Sequence, residues 1–389
     1  MLEPFTFRAP GRLIDFMREA GEPGLINLAA GVPATETLPA AELQAAFAEA
    51  FAREGRTMFA YHRPEGDVGL RELLAARLRE RGAAIAGEQL LTVTGCQQGL
   101  QLMLTAMVRP GDTVACEVPA YYALLELISA AGARLLPVPV RSDQGIDLAE
   151  ADELFARWKP RALFVCSSLS NPSGATMPAA HRERLVQICR THGVRIVEDD
   201  IYGELVDGRA PPTMLAFDDG TTASYVSSFS KTVSPGLRVG MCVPGTPHEE
   251  VATLKCQQDM HSAVATEVAL RHFLEMGGLD PHLTRVRESN ARRRQVARAA
   301  IARTFPLDAK VWPTVGGYML WVEFQRPIDL AAVRAAARAQ HVVFAAGDVF
   351  FPKPTGTTCI RLNCARAAED DLVRGIEILG SILAQEVRP

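Results

Sequence analysis

The chain has 389 residues, with 41 Lys plus Arg against 45 Asp plus Glu for a formal charge of -4 at pH 7, and is 48% hydrophobic and 22% charged. At roughly 100 to 200 residues per domain, this length predicts two or three domains with substantial cores, and the composition predicts folding throughout. The near balance of charge argues against nucleic acid or anionic membrane as partners through bulk electrostatics.

The start, Met1-Leu2-Glu3-Pro4, lacks the basic region and apolar run of a signal peptide, and no segment approaches the roughly 18 uninterrupted apolar residues of a membrane helix. A soluble cytoplasmic protein is expected. The eight cysteines include no Cys-x-x-Cys and sit mostly in apolar segments such as Leu163-Phe-Val-Cys166, which predicts buried, reduced thiols. The histidines are scattered without metal-site spacing, so no metal is expected.

Along the chain, residues 1–39 have few signals of their own and are expected to pack against the last domain. Short apolar runs bounded by turn residues then predict buried strands at Gln89–Val93, Thr113–Cys116, Ala162–Cys166, Arg195–Val197, Ser224–Val226 and Val239–Val243. Helical periodicity fills Gln97–Met107, Tyr121–Ala131 and Pro178–His192, the last with Pro at its start and Gly193 just past its end. Strand and helix in turn predict an α/β domain over 40–280, three-layered, with a mostly parallel sheet covered by helices. Nearly all of His248–Thr304 reads as helix. A smaller α+β domain over 281–389 follows, with strands at Tyr318–Phe324, near Val342 and at Cys359–Leu362, and helices at Leu330–Gln340 and from Glu369.

Several segments carry chemistry. In Ser227-Ser-Phe-Ser-Lys231-Thr-Val-Ser-Pro-Gly-Leu-Arg238 a lysine ends a small-residue run after a strand. An enclosed amine there would have a lowered pKa and could form a Schiff base with a carbonyl cofactor, whereas a lone lysine on a loop is the plain alternative. Thr94-Gly95-Cys96-Gln97 places small residues and free N–H groups between a strand and a helix, which suits a phosphate or is simply a turn. Neither a Walker loop nor a G-x-G-x-x-G is present. Asn171-Pro and Glu198-Asp-Asp-Ile-Tyr202 follow successive strands, where open α/β sheets bind ligands. The acidic triplet alone fits a solvated loop, a helix N-terminus or a divalent-metal site equally.

The order of these segments, with Tyr121-Tyr122, Gly31-Val-Pro33, Tyr61-x-x-x-x-Gly66, Gly316-Gly-Tyr-Met-Leu-Trp321 and Ile360-Arg361-Leu-Asn363, resembles the class I/II pyridoxal-phosphate aminotransferases of fold type I over essentially the whole chain. The wording at Gly95-Cys-Gln-Gln and Glu198-Asp-Asp-x-Tyr is nearest the branch holding 2-aminoadipate and aromatic aminotransferases and related regulators. The regulator form is not expected at this length.

The resemblance implies pyridoxal 5'-phosphate as cofactor, an L-amino acid and a 2-oxo acid as substrates in ping-pong transamination, and a homodimer. It implies that Lys231 forms the internal aldimine and shuttles the proton, that Asp199 faces the pyridine nitrogen, and that Asn171 and Tyr202 bond the phenolic oxygen. Tyr121 would stack on the ring. The phosphate would take the backbone N–H of Gly95, Cys96 and Gln97, the hydroxyls of Ser228 and Ser230, and Arg238, with Tyr61 lent by the partner subunit. Arg361 would grip the substrate α-carboxylate beside Gly31 and Asn171, against the alternative of an edge-strand surface charge. A same-fold oxidase, decarboxylase or eliminase, acting differently at the quinonoid, remains the alternative. Penicillin-type acyl transfer through Ser228-x-x-Lys231 lacks its companion motifs. The substrate pair is left open, as are the roles of Arg8 and Arg12.

Overall fold

The computed structural model describes residues 2–9, 11–20, 22–353 and 358–385, with the side chains of Arg12, Phe16 and Ala20 outside the described part. Thirteen strands run in chain order as β1 (Ile26–Leu28), β2 (Leu91–Val93), β3 (Thr113–Val118), β4 (Arg134–Arg141), β5 (Gly145–Ile146), β6 (Ala162–Cys166), β7 (Arg195–Asp199), β8 (Ala223–Ser228), β9 (Gly240–Val243), β10 (Ala309–Val311), β11 (Met319–Phe324), β12 (Val342–Ala346) and β13 (Thr358–Asn363). Eight of them form one sheet in the order β2-β9-β8-β7-β6-β3-β4-β5, and five form a second in the order β1-β12-β13-β11-β10. In the larger sheet β8, β7, β6, β3 and β4 are parallel neighbours, while β9 runs antiparallel to both β8 and β2.

A strand buried on both faces must be apolar at every position, and β6, Ala-Leu-Phe-Val-Cys, is buried throughout. Alternate residues serve opposite layers. Leu163, Val165 and Ile196 join a core with Leu74, Phe155, Leu185 and Phe273, whereas Phe164, Val197 and Val226 join one with Leu100, Met103, Leu124 and Val251. Helices therefore cover both faces, giving the three layers expected from the alternating pattern. The second sheet is packed by Ala297, Ala300 and Ile301 of the helix Leu279–Thr304, by the helix Leu330–Ala339, and by Leu372, Ile376 and Leu379 of Glu369–Gln385.

The strands extend past the expected ends where the backbone continues into the site, to Val118 in β3, Asp199 in β7 and Ser228 in β8. The helix Ala179–His192 ends as its sequence implies, with Gly193 at φ +67 in the left-handed cap that glycine tolerates. Near the N-terminus β1 pairs in parallel with β12, while Phe5 bridges Leu135 of β4. All eight cysteines are free; seven are buried, and Cys256 is an exposed exception on the outer turn of helix His248–Asp259.

Candidate active site

The carboxyl ends of β2, β6, β7 and β8 bring Gly95, Asn171, Asp199 and Lys231 to one edge of the large sheet, where parallel strands present their last residues to a ligand. The acidic triplet is buried, which removes the solvated-loop reading. The strand alternation splits it: Asp199 points to the site, and Glu198 and Asp200 point into the opposite layer. There Asp200 accepts from Arg81 at 2.6 Å, Ser168 at 2.5 Å and Tyr225 at 3.1 Å, while Glu198 accepts from Ser167 at 2.5 Å and Arg182 at 3.2 Å. Buried charges of this kind require such partners. Among the described residues no group of His, Cys, Asp and Glu is arranged to hold a metal, so the metal reading of the triplet has no support.

Asp199 Oδ1 accepts from Cys96 Sγ at 3.4 Å and from the Ile201 N–H at 3.2 Å. Burial pushes its carboxyl up to about 6, more than those hydrogen bonds pull it down. Lys231 shows the converse. Burial first, then the nearby positive charge of Arg361, pushes its amine down to about 8, so a sizeable neutral fraction exists at physiological pH. Its Nζ donates to the carbonyl oxygen of Gly31 at 2.8 Å.

The turn after β2 is shaped for close approach. Gly95 sits at φ +77, and a Cβ there would lie 2.5 Å from Arg238 Nη2. A Cβ on Gly240 would fall 3.0 Å from the Gly95 backbone and 2.8 Å from the Ser227 carbonyl. Arg238 itself holds a left-handed φ of 56, a strained conformation typical of functional positions, and donates to Ser230 Oγ at 3.3 Å and to the Thr94 carbonyl at 3.1 Å. Ser228 Oγ accepts from the Ser230 N–H at 3.3 Å. One expected donor is already used, because the Gly95 N–H bonds the Val93 carbonyl at 2.8 Å. Cys96 and Gln97 open the helix Cys96–Met107, whose first-turn N–H groups have no acceptor within the helix, and Gln97 Oε1 is buried without a partner. Helix-end N–H groups, two hydroxyls and a guanidinium fit a phosphate dianion.

The opposite wall comes from the small sheet. Arg361 lies on β13, an inner strand, opposite Trp321 and Ala345, and is fully buried, so it is no edge-strand surface charge. Its Nη1 donates to Asn171 Oδ1 at 2.6 Å, its Nη2 donates to the Ala29 carbonyl, and its guanidinium stands 4.9 Å over the Phe350 ring. Its Nε is buried with no hydrogen-bond partner. Asn363 Nδ2 donates to the carbonyls of Ala30 and Val32, and the Tyr318 hydroxyl donates to Gly31 at 3.4 Å. Arg361, Asn363, Lys231 and Tyr318 thus hold the segment Ala29–Val32 across the site. Asn363 and Tyr318 stood inside the quoted motifs without a role; the uncommon Asn ending an apolar strand was the available signal.

Tyr202 is buried with its ring edge-on to Tyr318 at 6.1 Å, and burial pushes its phenol far up. Tyr121 precedes the helix Tyr122–Ala130, its ring 5.1 Å from that of Tyr122. Tyr61 stands apart from this cluster, 82% exposed, with its ring edge-on to His261 at 5.6 Å. Arg8 is exposed at the surface.

Among known proteins, residues 23–379 match the family model described as aminotransferase class I and II. The chain is 30% identical to a 2-aminoadipate transaminase of Thermus thermophilus, over 95% of this chain and 92% of the relative. It is 25% identical to an uncharacterised HTH-type transcriptional regulator of Escherichia coli, over 95% of this chain and 79% of that protein. The structure superposes with a TM-score of 0.88 and 30% identity on the α-aminoadipate aminotransferase LysN of Thermus thermophilus in complex with N-(5'-phosphopyridoxyl)-L-leucine, covering 96% and 95% of the two chains. The fold and the family match agree with the donor set built above, and the chain belongs to the class I and II aminotransferases as a pyridoxal-phosphate-dependent transaminase of fold type I.

Proposed function

We propose that Lys231 is the cofactor-bearing lysine and proton carrier of this transaminase, and that Arg361 receives the α-carboxylate of a small L-amino acid or 2-oxo acid. The observation that carries this reading is the placement of the Lys231 amine at the strand ends, donating to the Gly31 carbonyl at 2.8 Å with Asp199, Arg361 and Arg238 as its charged neighbours. Pyridoxal phosphate supplies a carbonyl for the amine and a ring that accepts an electron pair.

The chain's own groups do the rest. The first-turn N–H groups of Cys96 and Gln97, with Ser228, Ser230 and Arg238, hold the phosphate dianion. Asp199 offers a buried carboxylate for a ring N–H, and a cation there would draw its raised pKa back down. Asn171 and Tyr202 supply hydrogen bonds to an oxyanion, and Tyr121 supplies a flat aromatic face. Once freed from Gly31, Lys231 Nζ can take the proton from the substrate Cα and return it elsewhere along the same face. Arg361 fixes which Cα bond is presented, and its unpartnered Nε leaves a donor for the carboxylate.

The protein acts as a homodimer, with Tyr61 completing the partner's phosphate site. Supporting this, Phe51, Phe59, Tyr61 and Met260 are exposed, with Phe51 and Phe59 stacked at 6.0 Å, a surface that suits a second copy better than water. A cytoplasmic location is part of the same reading. No described helix is long and apolar enough to cross a membrane. The kinship with a 2-aminoadipate transaminase makes dicarboxylic amino acids natural first donors to try.

The test combines borohydride reduction with peptide mapping, then a panel of amino acids against 2-oxoglutarate and pyruvate. Label on Lys231 and conversion to the amine form of the cofactor are expected. Label on another lysine would sink the assignment.

A further inference from the structure

The turn that carries the phosphate donors does not hold its shape alone. Thr94 is held at three points: its N–H donates to Gln98 Oε1 at 2.7 Å, its hydroxyl donates to Asp259 Oδ2 at 3.3 Å, and its carbonyl accepts from Arg238. Gln98 Nε2 donates to the same Asp259 oxygen at 2.9 Å. The other carboxylate oxygen, Asp259 Oδ1, accepts from Lys255 Nζ at 3.1 Å, and the Lys255 side chain is completely buried.

A buried ammonium without a partner is costly, so Lys255 holds Asp259 in place, and Asp259 in turn locks Thr94 and Gln98. A carboxylate that accepts from both ends of the stretch Thr94–Gln98 acts as a brace: it removes the rotational freedom of Thr94 just before Gly95, where glycine would otherwise make the chain loose. The brace lies on a separate element, the end of helix His248–Asp259. Of the next residues, Met260 at φ +60 is exposed, and His261 packs against the Tyr61 ring.

We propose that Asp259, anchored by Lys255 and acting through Thr94 and Gln98, is a positioning residue that preorganises the phosphate-binding turn. Its effect is on the phosphate alone, since none of its partners faces the ring or the substrate carboxylate. The proposal rests on the reading of the Thr94–Gln97 turn as the phosphate site.

The test measures equilibrium dissociation constants of the full-length protein for pyridoxal phosphate and for pyridoxal, which lacks the phosphate, by absorbance of the bound chromophore. Three variants are compared: Asp259→Asn; Gln98→Leu, at a partly exposed position; and the double variant Lys255→Met with Asp259→Ala, which removes the buried ammonium together with its carboxylate partner. Each should weaken pyridoxal phosphate about tenfold, the lower end for losing one charge-assisted bond to the phosphate, and change pyridoxal less than about twofold. Equal weakening of both ligands would mean general damage and would overturn the proposal, as would unchanged affinity for the phosphate form. Arg238→Ala is measured alongside. If it also fails to discriminate the two ligands, the phosphate reading itself is wrong; if it discriminates while the Asp259 and Gln98 variants do not, only the brace is wrong.

Discussion

The walls around Arg361 and around Tyr61 are built on opposite terms. Arg361 is fully buried, and its guanidinium nitrogens Nη1 and Nη2 are occupied by Asn171 and Ala29 of its own chain. Tyr61 is 82% exposed, with its ring edge-on to His261. Burying a charge demands partners close by, so the Arg361 wall is finished within the chain, while Tyr61 lies apart from it on the exposed surface. On the proposed reading, the difference separates what a single chain holds by itself, a guanidinium and a lysine, from what a second chain would add.

The self-contained side is broken most severely at Lys231. Lys231→Ala should remove the borohydride-reducible linkage and lower turnover by about four orders of magnitude, at the upper end for loss of a general acid-base group. The readouts are peptide mapping and single-turnover absorbance; an exogenous amine such as methylamine should restore part of the proton transfer, which a merely unfolded protein would not permit.

Asp199→Ala comes next. The phosphate donors remain, so cofactor retention should fall far less than turnover, and kcat and kcat/KM should drop together by roughly a hundredfold to a thousandfold, the range for removing one preorganised partner of a developing charge. Near-normal kcat in steady-state assays would refute the role given to Asp199.

These two residues were also the most legible in the sequence, for a physical reason. Asp199 ends the strand β7 and Lys231 lies three residues past β8, so both sit where the sheet presents its strand ends, and a charged residue there has few structural purposes. Where apolar runs were clean, as in Ala162–Cys166, the strand bounds agree with the reading from sequence. Strand β4 was hidden, because its Pro137 and Pro139 cannot donate to a ladder and argue against a strand. Nor could spacing show that Glu198 and Asp200 need Arg182, from the preceding helix Ala179–His192, and Arg81, which caps the helix Val68–Glu80 far back in the chain. The held segment Ala29–Val32 was opaque for a further reason: its part is played by backbone carbonyls, which every sequence contains.

The unfinished side is tested through Tyr61. A phenol donating to a dianion is a charge-assisted bond worth roughly 1.5 to 3 kcal/mol, so Tyr61→Phe should loosen the cofactor by about one to two decades. Mixing two inactive variants, Tyr61→Ala and Lys231→Ala, sharpens the comparison. Hybrid dimers should regain one site with both an intact lysine and an intact tyrosine, and activity should appear on subunit exchange. A mixture that stays inactive after proven exchange, or a fully active monomer in sedimentation, would remove Tyr61 from the site.

The smallest effect is a shift in pH dependence, and it tests whether the two sheets act on one amine. If the neutral form of Lys231 is the nucleophile, as proposed, the rate at which unloaded protein takes up pyridoxal phosphate should rise with pH and level off above a midpoint near 8, the value to which burial pushes the amine, instead of the 10.5 of an ordinary lysine. Arg361 is the second cause of that depression after burial, so Arg361→Gln should move the midpoint upward while burial keeps it below 10.5. The stability of the unloaded protein carries the same signature. Because folding favours the neutral amine, the unfolded chain binds more protons between pH 8 and 10.5, and the Lys231 contribution to stability rises with pH across that window. Asp199 has the opposite sign: its carboxyl rises from 3.8 to about 6 on folding, so its contribution falls as pH climbs through that interval. Urea titrations of the unloaded wild type, Lys231→Met and Asp199→Asn across both windows separate the two. A loading midpoint unmoved by Arg361→Gln would mean that the small sheet does not set the charge state of the lysine.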